Sequence, residues 1–302
     1  MANENVIYIS THNVQVIKGS CDKGDMIKID DFEQYDVEEG AMMNGVITDD
    51  VIIKEILGKI ASKGVKETKL VIDSGQMLLK NIDVPLLGKK ELIKICKDEL
   101  ASIDGSDGDL VYDYCVLRDS YEDKSGGEIL CVGVERKLIT SYMELFESVG
   151  IKLKSIDIAE NALHKLTREI ADINQKTYVL VIVDGNNVAT FLFENNHYTF
   201  SNRARLFSER GSDAFVSEMN SNISQMIQFS KSKQSENIID TAYFCGLLDE
   251  EETAVFARVK EALNIEAEVF PNSKIIYVKD KIKEKMFQLH DYVFPIGCLI
   301  RK

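Results

Sequence analysis

The residues of this chain with the most chemical potential sit on two short polar turns. Ser10-Thr11-His12-Asn13 follows one apolar run, and Asp184-Gly185-Asn186-Asn187 follows another. His12 could face a ligand from the first turn, although a solvated turn residue is the simpler expectation. Read alone, Asp184–Asn187 is a plain polar turn. The four histidines (His12, His164, His197, His290) are scattered, and none stands at i, i+4 from another His or a Cys. The six cysteines show no CxxC and no metal-ligand spacing, so no metal site is expected. Asp98 and Glu99 are adjacent and face different directions on a helix, which is a solvated face rather than an acid–base pair. No G-x-S-x-G, P-loop or H-E-x-x-H occurs.

Composition narrows the partners. Thirty-six basic against fifty acidic side chains give a net charge of −14, which repels phosphodiester backbones and anionic lipid heads. Nucleic acid is therefore not an expected partner, whereas a basic segment is. Free cysteines among apolar neighbours fit a reducing cytoplasm. No stretch reaches ~18 apolar residues, so membrane association is expected only through partners.

The elements that must position the two turns are short and alternate in type. Strands are expected over 6–10, 14–18 and 25–36. Thr48-Asp49-Asp50 caps a helix carrying Ile52, Ile56 and Ile60, Gly64 closes it, and 69–73 is the next strand. From about 77 the texture changes: strand 77–84 ended by Pro85, helix 89–101, strand 110–117, strand 128–134, helix 137–149 and an extended return at 152–158. Polar loops at 104–109 and 119–127 separate them. A helix over 159–173 leads to a second strand, polar turn, strand and strand from 178, with Asn195-Asn196 as a hairpin signal. Gly211-Ser212-Asp213 opens a long helix, a short strand lies at 242–245, and the chain closes on the apolar run 293–300. Met219, Met226 and Met286 stand at core spacing, and 279–285 reads as an exposed mixed-charge segment.

The recurrence of a hairpin-led unit near residue 178 argues for two similar lobes with a cleft between them, where ligands usually bind. The expected organisation is lobe 1 over 1–76, an inserted α+β subdomain over 77–157, a return helix over 158–176 and lobe 2 over 177–302. The closing 290–302 is expected to pack back on lobe 1. The fold class is α/β.

Several segments in this order resemble the PilM family of type IV pilus assembly proteins. They are the first turn within Val6–Val16, GAMMNGVITD over Gly40–Asp49, Leu79–Pro85 with the helix after it, Leu110–Tyr114, Val132–Gly150, Ile156–Ala162, Val179–Arg203, the helix from Gly211, and Gly297. The division scaffold FtsA and the secretion protein GspL share the plan. The resemblance implies an actin-like, duplicated ribonuclease-H-like fold of two lobes. In that superfamily the two turns grip nucleotide phosphates, so ATP and Mg²⁺ are the cofactors it implies if the site works.

The implied nucleotide positions are Ser10, Thr11, His12, Asn13, Gln15, Asp184, Gly185, Asn186, Asn187, Cys245 and Gly246. This chain departs from the family's pattern there. Tyr8 replaces the acid of the first turn, Ser10 its glycine and Gln15 its lysine. Asp184 and Gly185 are adjacent rather than spaced by one, and Cys245 replaces one of two glycines at the purine side. Losing a metal-binding carboxylate and a phosphate-facing cation removes most of such a site's electrostatics, so no cofactor and no catalysis are expected. The alternative is a genuine ATP-binding ATPase with divergent turns. The resemblance further implies a PilN-like inner-membrane protein whose cytoplasmic N-terminal segment docks in a groove between the first lobe and the inserted subdomain, formed by the strands 77–84 and 110–117 with the helix 89–101 and lined by Ile82, Val84, Leu92, Cys96, Tyr112 and Tyr114. That groove is expected to be rimmed by Asp83, Glu91, Asp98 and Asp113. The pilus motor ATPase is a further implied partner. The implied place is the cytoplasmic face of the inner membrane, in a pilus or type II secretion machine.

Overall fold

A computed structural model of the chain describes residues 3–22, 26–104, 109–120, 125–233, 236–280, 282 and 286–300. Most of each expected polar loop (105–108, 121–124) and much of 279–285 lie outside the described residues. The first lobe opens with β1 (Glu4–Ile9), β2 (Asn13–Cys21) and β3 (Ile27–Asp36), a small hairpin of β4 (Met42–Met43) and β5 (Val46–Ile47), then α1 (Asp50–Ser62) and β6 (Glu67–Ile72). Next come β7 (Leu78–Val84), α2 (Lys89–Asp104), β8 (Leu110–Ser120), β9 (Gly126–Glu135), α3 (Arg136–Ser148), β10 (Lys152–Ile158) and α4 (Ala159–Arg168). The second half holds β11 (Tyr178–Asp184), β12 (Asn187–Glu194), β13 (His197–Arg205), α5 (Asp213–Ser232), β14 (Thr241–Cys245), α6 (Asp249–Leu263), β15 (Glu266–Val269), β16 (Ile276–Val278) and α7 (Val293–Leu299).

Local chemistry accounts for many boundaries. Asp49 caps α1 by accepting from the Val51 N–H at 2.9 Å, and Ser212 caps α5 by accepting from Phe215 N–H at 3.1 Å. Asn195 and Asn196 both take positive φ (51° and 62°), the geometry of a two-residue hairpin turn. The core stripe of α1 is Ile53, Ile56, Leu57 and Ile60, with the expected Ile52 only half-buried. The helix expected over 159–173 stops at Arg168 and resumes as a 3-10 turn, Ala171–Ile173. Met219 and Met226 are buried, but Met286 is exposed, so core spacing misleads there.

Duplication appears in the sheet orders. The first sheet runs β10-β6-β1-β2-β3-β16, and the second runs β15-β14-β11-β12-β13. In each, three antiparallel strands lead and two parallel strands extend the first of them. A third sheet, β7-β9-β8, with α2 on one face is the inserted unit.

Two boundaries differ from the expected ones. β10 pairs in parallel with β6 and so belongs to the first lobe, because its partly apolar strand completes that sheet. The insertion thus ends before 157. The chain also returns to lobe 1 well before residue 290: β16 pairs in parallel with β3 at Ile276↔Ile27, and α7 then packs on α4, β1 and β2.

Gly297 lets α7 lie against α4. A Cβ there would stand 2.0 Å from the Ala162 carbonyl oxygen. Gly297→Ala is expected to cost roughly 1–3 kcal/mol by overpacking. Gly58→Ala in α1, where a Cβ meets nothing within 4 Å, should be neutral or slightly stabilising. Urea denaturation of both variants is the check, and equal midpoints would refute the close-packing account.

Candidate functional site

The two polar turns meet. Within the first, Ser10 Oγ accepts from the N–H groups of His12 and Asn13 at 3.2 and 2.9 Å, which pulls the turn tight. Ser10 Oγ–H then donates to Asp184 Oδ1 at 3.1 Å, and the Thr11 N–H donates to Asp184 Oδ2 at 3.1 Å. In return the Asn186 N–H donates to His12 Nε2 at 3.3 Å. Gly185 has φ +54°, and a Cβ on it would lie 1.9 Å from His12 Nε2, so a side chain there would push the His12 ring out of this contact. Burial pushes the Asp184 carboxyl up, opposed by His12 and by its hydrogen bonds to the first turn.

Two cavities flank this contact. The smaller, about 360 Å³, is lined by Ser10, His12, Asn13, Gln15, Asp184, Gly185, Cys245 and Gly246 among others, so it gathers most of the expected nucleotide positions. Thr11, Asn186 and Asn187 instead line the larger cavity of about 500 Å³, between the β4–β5 hairpin and β12–β13.

The electrostatics of the smaller cleft are unfriendly to phosphate. Its carboxylates are Asp36, Asp184 and Asp291. Its one arginine, Arg210, donates from Nε to Glu251 Oε1 at 2.7 Å and from Nη2 to the Gly246 carbonyl at 2.9 Å. Gln15, where the family has lysine, is buried and donates to the Asp291 carbonyl at 2.6 Å. Tyr8, where the family has an acid, is buried with its ring 4.7 Å from Phe294, and burial raises its hydroxyl. Cys245 is buried in β14 with its thiol pushed up by burial. His290 Nε2 lies 3.5 Å from Asp291, His164 is buried on α4, and no metal-binding group of side chains occurs among the described residues.

The sequence reading missed a buried ion cluster between the lobes. Arg203 of β13 donates from Nε to Asp73 Oδ1 and from Nη2 to Glu160 Oε1, both at 2.6 Å. Burial acts to lower the Arg203 pKa, but the two carboxylates outweigh it and raise it overall. Burial raises the Asp73 carboxyl against the pull of Arg203. One signal was present: Glu160 shares a helix face with Leu163 and Thr167, all fully buried, and a carboxylate on such a face needs a cation.

The expected partner groove is rearranged. β9 lies between β7 and β8, so those two strands form no slot together. Val84, Leu92 and Cys96 are buried and make the core between α2 and the sheet, and Ile82, Tyr112 and Tyr114 pack half-buried against it. The acidic rim also dissolves. Asp83 and Asp113 alternate with Ile82, Val84, Tyr112 and Tyr114 and so face away from α2, while Glu91 accepts from the Gly88 N–H at 2.9 Å. What stays open is the β8 side: β8 is a sheet edge, and Val116 beyond the two tyrosines is 41% exposed.

Comparison with known proteins places this geometry. The family described as type IV pilus assembly protein PilM matches residues 7–211. A solved "PilM-PilN type IV pilus biogenesis complex" is similar over 99% of this chain and 98% of that one, with a TM-score of 0.80 and 12% identity. A Bacteroides thetaiotaomicron protein "with actin-like ATPase fold and unknown function" is similar over 99% and 96%, with a TM-score of 0.56 and 9% identity. No curated protein matches the sequence. No described helix is long and apolar enough to cross a membrane. The two lobes form an actin-like fold, and the chain belongs to the PilM family of type IV pilus assembly proteins.

Proposed function

We propose that this protein is a non-catalytic scaffold of a type IV pilus machine that binds a segment of a PilN-like membrane protein without nucleotide turnover. One observation carries the reading: the Asp184 carboxylate already receives the Ser10 hydroxyl and the Thr11 N–H, the donors an incoming phosphate would use. A triphosphate entering the smaller cleft would also face Asp36, Asp184 and Asp291, with Arg210 held by Glu251. Such a cleft repels the ligand it would have to grip.

Held shut by its own groups, the two-lobed body offers fixed surfaces instead. The partner segment is assigned to the edge of β8, where an extended chain can add main-chain hydrogen bonds while its apolar side chains meet Tyr112, Tyr114 and Val116. The similar solved complex pairs PilM with PilN, which supports a partner of that kind. Through it the protein would stand at the cytoplasmic face of the inner membrane, within reach of the pilus motor.

The test is titration of the full chain with a peptide copied from the cytoplasmic N-terminus of the PilN-like protein, with and without ATP and Mg²⁺. Saturable binding indifferent to nucleotide is expected. Binding that requires ATP, or none at all, would sink the reading.

A further inference from the structure

We propose that α2 and the turn before it form a contact surface for an anionic lipid bilayer. Lys89, Lys90, Lys94 and Lys97 are all exposed, and none is paired with a carboxylate among the described residues. Lys90, Lys94 and Lys97 follow one another at helical spacing and make a stripe on one side of the helix. The four ammonium groups span about 12 Å of helix axis. At the start of the stripe, directly after Pro85, Leu86 stands 51% exposed.

Nearby carboxylates reduce the charge of the stripe without cancelling it, leaving four lysines against Glu91 and Asp98 among the described side chains of the helix. Glu91, exposed beside Lys90, accepts from the Gly88 N–H and keeps its negative charge. Glu99 is held by Lys80 at 2.7 Å, and Asp83 by Arg118 at 3.3 Å. Asp98, also exposed, stands one turn from Lys94. The net charge of −14 does not prevent the contact, because charges farther than about 8 Å from a surface are largely screened at physiological salt.

A bilayer fits better than an acidic protein because the cations are joined to an exposed apolar tip. Lysines bedded among anionic headgroups with a leucine entering the acyl boundary is the arrangement an interfacial contact requires. With no membrane-spanning helix among the described residues, the contact is peripheral. It acts as a second, weak hold on a protein already brought to the membrane by a partner.

The test is co-sedimentation of the full chain alone with vesicles, so it stands apart from the partner assignment. Vesicles of phosphatidylcholine with phosphatidylglycerol should take up the chain, and phosphatidylcholine alone should not. At about fivefold per lysine, replacing Lys89, Lys90, Lys94 and Lys97 together by Gln should weaken partitioning by at least about a hundredfold. Leu86→Ser should weaken it several-fold, and added salt should release the wild-type chain. Circular dichroism should show both variants folded, since all five positions face water. Equal uptake by both vesicle types, or a fourfold variant that sediments like wild type, overturns the proposal. So does capture by an acidic protein without any uptake by the anionic vesicles.

Discussion

Arg203→Met is expected to lower the stability of this protein by about 3–5 kcal/mol, the cost of leaving buried carboxylates without their cation. Glu160 has a fully buried side chain and Asp73 one that is 15% exposed, so neither regains much water when the guanidinium goes. Arg203 lies on β13 of the second lobe, Asp73 follows β6 of the first, and Glu160 is on the connecting α4, so the loss falls on the joint between lobes. Repulsion is partly relieved by protonation of Asp73, whose carboxyl burial already raises. Adding Asp73→Asn and Glu160→Gln to Arg203→Met should therefore restore much of the stability, since a neutral cluster has no stranded charge. The exposed pair Lys260–Glu266 is the comparison, and breaking it should leave the denaturation midpoint unchanged. Chemical denaturation of these three variants beside wild type decides. An Arg203→Met midpoint equal to wild type would mean that the cluster does not hold the lobes.

The second large effect is on binding. Tyr114→Asp with Val116→Asp is expected to weaken capture of the PilN-like segment by roughly a thousandfold, as two lost anchors of about 2 kcal/mol each. Both lie on β8, and a carboxylate there would lose water whenever an apolar segment covered it. Val116→Asp alone is the safer reporter of binding, because Val116 is 41% exposed and outside the subdomain core, whereas Tyr114 packs against that core. Fluorescence anisotropy with labelled peptide gives the affinity, and circular dichroism confirms the fold. Wild-type affinity in the Val116→Asp chain would move the partner away from β8.

Much of the fold was legible because its signals are local. The paired hairpins announce themselves through alternating runs and turn residues such as Asn195-Asn196, and the caps Asp49 and Ser212 mark helix starts within a few residues. What pairs with what at long range was not legible. β16 is three residues long and joins β3 from the other end of the chain, and nothing in Ile276–Val278 names that partner. The groove was drawn wrongly for the same reason: β7 and β8 each look like half-buried strands, but only the sheet order shows β9 between them. The polar turns were placed correctly, yet residue types alone could not show that Asp184 would engage the opposite turn rather than face a ligand. Arg203 and Asp73 escaped notice because each looks like an ordinary strand-end charge until the lobes meet.

Isothermal titration of the full chain with ATP and Mg²⁺ bears most directly on the proposal that the turns hold each other and not a nucleotide. No saturable heat up to about 1 mM nucleotide, equivalent to binding weaker than about −4 kcal/mol, is the predicted result. A micromolar isotherm accompanied by phosphate release would contradict it.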